Sequence, residues 1–259
     1  MPTNQYRSGM DLNLIVHGRC ASSLVTAMLV ETGEFNLWGV PEYPAKKESG
    51  WIRDLIRECL YMGKWKSEPI KDTLNRFNTN GKVLIKMPEF GFCIDKFFFL
   101  EPSVLVIRRS PFEILRSIAS LKWEESVVQP YEKYRIMELA EKHYKLKGGD
   151  TAGMSTRHKV FLVLCFARWY TDLHVSRYRG RKLFIYFDDL MFRKEDVYCQ
   201  LDRFYGLEPR KYWDLWNELS NKKQMGAARQ PDADFKKSYN IDFSKDWEVF
   251  SEIHYTFNK

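Results

Sequence analysis

The sequence predicts an α/β fold, read as a single domain over residues 1–259 with a central, mostly parallel sheet of four to five strands flanked by helices. Three observations lead there. Short apolar runs recur along the chain as L-N-L-I-V, G-K-V-L-I-K, V-L-V-I and K-L-F-I-Y-F, each the length of a buried strand. Stretches of helical character separate them, the alternation that gives a parallel sheet wrapped by helices. No internal repeat, low-complexity tract or linker interrupts the pattern, and 259 residues with 44% apolar content suffice for one full core.

The elements follow in order. The first strand is Leu12 to Val16, and a helix runs from about Ser22 to Thr32. Helical stretches follow near Gly50 to Met62 and Pro69 to Asn78, before a second strand at Gly81 to Lys86. Val104 to Ile107 reads as the third strand and Pro111 to Leu121 as its helix, with Pro111 at a first-turn position where its missing N–H costs nothing. Tyr131 to Lys147 is charged and helical in character, and Gly148, Gly149 and Gly153 break the chain. The polar region of about 131–158 reads as an acceptor lid. An amphipathic helix runs from about Thr156 to Tyr178, the fourth strand is Lys182 to Phe187, and Glu195 to Tyr205 is the next helix. From Pro209 the pattern is weak. The Phe97–Phe98–Phe99 run and the C-terminal tryptophans read as core.

Ligands of an open parallel sheet gather at the carboxyl ends of its strands. Here those ends are His17 to Ser23, Lys86 to Phe90, Arg108 to Pro111 and Asp188 to Leu190. The first is the most telling. Small residues at Gly18, Ala21, Ser22 and Ser23 let the backbone turn tightly, Arg19 adds positive charge, and the Ser22 and Ser23 hydroxyls are placed to cap the helix that follows. A strand, a basic turn and a helix N-terminus form a P-loop-like cradle for a phosphate or a group like it. The G-x-x-x-x-G-K-[ST] pattern of an NTPase is absent.

Composition narrows the classes. A net charge of +7 suits anionic ligands, while no K/R-rich run or RNA-binding motif points to nucleic acid. No stretch approaches the ~20 apolar residues of a membrane span. The polar opening M-P-T-N-Q-Y-R-S-G-M lacks a signal-peptide core, so a cytoplasmic protein is expected. Five cysteines, an odd number without a C-x-x-C pair, argue against a disulfide framework or a zinc site. Cys20 alone sits in the basic turn, where a thiol pKa can be lowered; no partner His and acid stand at a recognisable spacing.

Taken in order, these segments resemble a sulfotransferase that uses 3′-phosphoadenosine 5′-phosphosulfate (PAPS). R-C-A-S-S-L, Arg19 to Leu24, stands where that family has [RK]-S-G-[ST]-[ST]-L after a strand. V-L-V-I-R-R-S-P-F-E-I-L-R-S supplies Arg109, Pro111 and Ser117 at the spacing of its 3′-phosphate segment. V-L-I-K-M-P, I-Y-F-D-D-L and F-Y-G-L resemble its central Lys strand, its late Y-E-D-L strand and that strand's usual follower.

The resemblance implies transfer of a sulfonate from PAPS, as co-substrate and without a metal, to a hydroxyl, less readily an amine, of a small-molecule or carbohydrate acceptor. Gly18, Arg19, Cys20, Ala21, Ser22 and Ser23 would bind the 5′-phosphosulfate with Lys86, and Arg109 and Ser117 the 3′-phosphate, with Arg108 able to take Arg109's part. Glu42 ranks first as the base, then Glu89, then His17. Two features depart from the family pattern. Cys20–Ala21 replaces Ser-Gly, and Ala21 fits that place without cost only where the backbone needs no positive φ. Pro88 stands where the cytosolic branch has a His. A P-loop-like nucleotide kinase or NTPase, and a non-catalytic nucleotide-binding relative, are the alternative readings.

Overall fold

The computed structural model describes residues 10–16, 20–38, 81–87, 91–133, 136–144 and 150–227. Five strands form one wholly parallel sheet: β1 (Met10–Val16), β2 (Phe35–Trp38), β3 (Gly81–Met87), β4 (Ser103–Arg108) and β5 (Lys182–Tyr186), in the order β2-β3-β1-β4-β5. The described residues fall into two compact units, one drawn from Met1–Ser110 and Ala167–Asn221, the other from Pro111–Phe166 and Lys222–Lys259.

The first unit contains the sheet. Leu12, Leu14 and Val16 point to one face of β1 and Asn13 and Ile15 to the other, and all five are buried, as befits a central strand covered on both sides. Val83, Ile85, Val104 and Val106 join the first face, where Cys93, Ile94, Phe97, Val175 and Tyr178 cover them. Ile94 and Phe97 lie on a 3-10 helix, Ile94–Leu100; Val175 lies on α5 (Thr156–Arg177). Phe97 is fully buried, but Phe99 is 41% exposed, so the Phe run is core only in part: a three-residue turn sends successive side chains in different directions.

Helix α1 (Ser22–Val30) packs on β1, β2 and β3. It ends two residues before the expected Thr32, whose Oγ1 instead donates to the Leu29 carbonyl at 2.6 Å. After it comes the edge strand β2, for which the sequence reading has no strand, with Phe35 buried and Asn36 exposed. Four residues are too few for a clear period-two signal.

Phe187 belongs to no strand. It opens α6 (Phe187–Phe192), so Asp188 to Leu190 form a helical turn rather than a strand end. α7 (Lys194–Tyr205) closes on Gly206 at φ 62, a left-handed position that glycine adopts without a Cβ penalty. The C-terminal stretch read as weak in pattern contains α8 (Trp213–Ala227). Asp202 fastens it: Oδ2 accepts from the Arg210 backbone N–H at 3.1 Å and from Trp213 Nε1 at 2.9 Å. Trp216 is wholly buried and donates from Nε1 to the Met28 carbonyl at 2.8 Å, docking α8 on α1.

In the second unit, α2 (Pro111–Ser120) buries Ile114, Leu115, Ile118 and Ala119 at helical spacing. α3 (Glu124–Lys133) and α4 (Ile136–Tyr144) follow, so the described part of the charged stretch from Tyr131 is helical and the helix begins earlier, at Glu124. Polar links join α3 to the start of α5: Thr156 Oγ1 donates to Glu125 at 2.7 Å, Arg157 pairs with Glu124 at 3.2 Å and Lys159 with Glu132 at 2.6 Å. A 3-10 turn, Asp150–Gly153, is held by Thr151, whose N–H and hydroxyl both donate to Glu141. The described parts of the expected lid are thus largely helical. The expected helices at 50–62 and 69–78 lie outside the described residues.

Candidate functional site

Strand order places the site. From β1 the chain crosses to β2 and β3 on one side, and from β3 it crosses back to β4 and β5 on the other. The switch lies between β1 and β4, and open α/β sheets bind ligands in the crevice outside the carboxyl ends of the strands at such a point.

The entry to α1 departs from expectation. Its N-cap is Ala21, in the left-handed region at φ 63, ψ 16, with no side-chain cap. The backbone here does need a positive φ, which Ala adopts at a cost of roughly 1–2 kcal/mol. Ser22 and Ser23 are already inside the helix and do not cap it. The bond from Val25 N–H to the Ala21 carbonyl at 3.0 Å starts the helix. Because the cap is a methyl group, no side chain of that residue competes with an anion for the first-turn N–H groups.

β3 supplies the cation. Lys86 is 7% exposed, and its Nζ donates to Ser23 Oγ at 2.6 Å. The register pairs Ile15 with Lys86 and with Leu105, so Lys86 shares the face of the sheet on which α1 lies. A buried ammonium beside the positive end of a helix dipole makes this corner attractive to anions. Cys20 is buried, at 1% exposure. Cys93 and Cys165 are buried likewise, and Cys199 is partly buried.

Arg108 ends β4 and Arg109 follows it directly; the pleat, continued by one residue, sends the two to opposite faces. Arg108 follows Val104 and Val106. Its Nε and Nη2 donate to Asp172 Oδ1 at 3.2 and 2.9 Å, its Nη1 donates to the Tyr186 hydroxyl at 3.1 Å, and its guanidinium lies 4.2 Å from the Phe184 ring. Burial opposes the Arg108 charge, but the Tyr186 and Asp172 contacts outweigh it and raise the pKa. Arg109 follows Leu105 and Ile107 onto the Lys86 face, where its guanidinium lies 4.0 Å from the Phe187 ring. Ser117 is half-buried on α2 in the second unit, its carbonyl accepting from Ser120 Oγ at 2.9 Å.

The structure therefore joins Ser23 to Lys86 and sets Arg109 on the same face. His17, Gly18, Arg19, Glu42, Pro88 and Glu89 lie outside the described residues. Sequence reasoning gave no role to Asp172, Tyr186 or Phe187. For the last two the signal was pairing: Arg108 pairs with Tyr186, so one step on sets Arg109 against Phe187. Among the described residues no three His, Cys, Asp or Glu side chains group as metal ligands would, and no helix is long and apolar enough to cross a membrane.

No family model and no curated protein matches this chain. Among solved structures it is similar to the sulfotransferase domain from the curacin biosynthetic pathway, with a TM-score of 0.44 and 14% identity over 78% of this chain and 75% of that one. It is also similar to a sulfotransferase from Alicyclobacillus acidocaldarius, with a TM-score of 0.46 and 12% identity over 90% of this chain and 92% of that one.

Proposed function

We propose that this protein is a PAPS-dependent sulfotransferase that transfers a sulfonate to a hydroxyl of a small-molecule or carbohydrate acceptor. The observation that carries the reading is the Lys86–Ser23 contact, which brings a buried ammonium to the uncapped first turn of α1 at the sheet's switch point. That donor set, backbone N–H groups, a hydroxyl and a cation, fits a phosphosulfate anion.

Sulfuryl transfer asks a protein for positioning and charge stabilisation rather than for covalent chemistry, by analogy with phosphoryl transfer. In this reading Lys86, Arg19 and the α1 first turn, with Gly18, Cys20, Ala21, Ser22 and Ser23, hold the 5′-phosphosulfate and neutralise charge on the bridging oxygen as the sulfonate leaves. Arg109 and Ser117 grip the 3′-phosphate. Arg108 serves the fold, its N–H donors being engaged by Asp172 and Tyr186. Glu42 takes the acceptor proton, and Glu89 is the next candidate. The region of about 131–158 is the proposed acceptor wall, the protein acts in the cytoplasm, and no metal takes part.

A titration tests the binding half. Adenosine 3′,5′-bisphosphate should bind, and Arg19→Ala or Arg109→Ala should each weaken it by about 1.5–3 kcal/mol. Equal affinity for 5′-AMP would count against the reading. The strained Ala21 favours a second reading, a non-catalytic nucleotide-binding relative. It predicts binding without transfer to any acceptor.

A further inference from the structure

The sequence reading passed over one basic run. From the end of α5 the chain reads R-Y-R-G-R-K, Arg177 to Lys182, four cations in six residues, and enters β5 at the amino end of the sheet. Two of the four serve the fold. Lys182 Nζ donates to the Ser176 and Tyr178 carbonyls at 2.7 and 2.6 Å, covering the end of α5. Arg181 donates from Nη2 to the Phe204 carbonyl, which ties the run to the end of α7, next to Arg203. A helix C-terminus favours a nearby cation, and Lys182 and Arg181 already supply one to each. Arg177, Arg179 and Arg203 are exposed, and among the described residues the side chains of these three make no hydrogen bond or ion pair. Exposed carboxylates lie near this corner, Asp11 by Tyr205 and Glu101 by Tyr178, but neither pairs with any of the five cations.

Four of the five cations are guanidiniums, whose planar fork matches the oxygens of sulfate and carboxylate groups. The corner suits other polyanions less. No exposed large apolar side chain lies on the run or on α7, as a membrane surface would require. Tyr178 is buried and stacks on Phe98, and Arg181 lies 5.4 Å from the Phe204 ring, so the bases of a single strand find no open platform. β5 is five residues long and ends the strand order, so the run stands roughly 13 Å along the sheet's edge from the carboxyl ends of the strands. Only an extended ligand reaches both. We propose that Arg177, Arg179 and Arg203 hold an anionic polysaccharide, a chain already carrying sulfate or carboxylate groups, whose continuation reaches the carboxyl ends as the acceptor. The inference rests on the sulfotransferase reading and names its acceptor class. Each transfer adds an anion to such a chain and so strengthens its attraction to the run.

Titration with dextran sulfate, neutral dextran, a DNA duplex and phosphatidylserine vesicles, at about 0.15 M salt, tests this. One variant combines Arg177→Gln, Arg179→Gln and Arg203→Gln. A control combines Lys122→Gln, Arg168→Gln and Arg193→Gln, which removes the same charge from exposed positions elsewhere. The wild type should bind dextran sulfate and not dextran. The first variant should bind it about tenfold more weakly and with a shallower salt dependence, the sum of three exposed charge contacts. The control should lose less than about twofold, because charges beyond a Debye length are screened. If the triple variant does not fold, Arg179→Gln, which lies on neither helix, should alone lose about twofold. Equal losses in the triple variant and the control overturn the proposal, since the attraction is then one of net charge. So does tighter binding of the duplex or of the vesicles than of dextran sulfate, which assigns the run to a partner of another class. The sulfotransferase reading fails separately, by the absence of adenosine 3′,5′-bisphosphate binding and of PAPS turnover, whatever dextran sulfate does.

Discussion

Lys86 Nζ donates to Ser23 Oγ across 2.6 Å, joining the end of β3 to the first turn of α1. The two residues are 63 positions apart in sequence, and the contact sits beside the strands that flank the switch in sheet order. Lys86→Met keeps the length of the side chain and removes a buried charge. It should therefore fold with its melting temperature held and lose about 1.5–3 kcal/mol of bisphosphate binding, read by calorimetry.

Ala21 holds φ 63 at the N-cap of α1. Glycine adopts that conformation without a Cβ clash, so Ala21→Gly should stabilise the fold by ~1 kcal/mol. Thermal unfolding checks it, as a rise of a few degrees. A fall would mean that the entropy glycine adds to the unfolded chain outweighs the relieved strain.

The adjacent arginines should separate cleanly. Asp172→Ala breaks the Arg108 pair, whose side chains are 24% and 33% exposed, and should cost about 1–2 kcal/mol of stability while leaving bisphosphate affinity intact. Arg109→Ala should do the opposite. Paired melting and titration of the two variants decide it.

Much of this arrangement was legible beforehand. The strand runs of β1, β3 and β4 were readable because a central parallel strand must be apolar on both faces. Other features were not. β2 is only four residues long, and α8 is held by single anchors such as Trp216 rather than by an apolar stripe. The faces that Arg108 and Arg109 take were also hidden, since they follow from the register with β5. Ala21's backbone angle is set by the turn as a whole and has no sequence signature beyond the glycine it replaces.

His143 gives the fold a pH dependence. Packed against Tyr144 and Phe166 at ring distances of 4.6 and 5.5 Å, it has its pKa lowered below 6.5 by burial. The unfolded chain then takes up a proton near pH 6.5 that the folded chain resists, so this residue's contribution is full above that pH and is lost as pH falls through the folded pKa. The melting temperature should drop less in His143→Phe than in wild type between about one unit above and about one unit below the ordinary His value. Identical slopes would remove His143 from the account.

The base is tested by its loss. Glu42→Gln should retain bisphosphate binding and lose transfer by roughly 10²–10⁴-fold. Full turnover in that variant, with the same loss in Glu89→Gln, moves the role to Glu89.

The central claim is sulfonate transfer, and donor turnover measures it most directly. PAPS is incubated in the presence of a metal chelator with hydroxyl-bearing small molecules and carbohydrates, and release of adenosine 3′,5′-bisphosphate is followed in wild type and Lys86→Met. The account predicts acceptor-dependent release in the wild type, without added metal, that is lost in the variant. Magnesium-dependent turnover of ATP, with no release from PAPS for any acceptor, would contradict it.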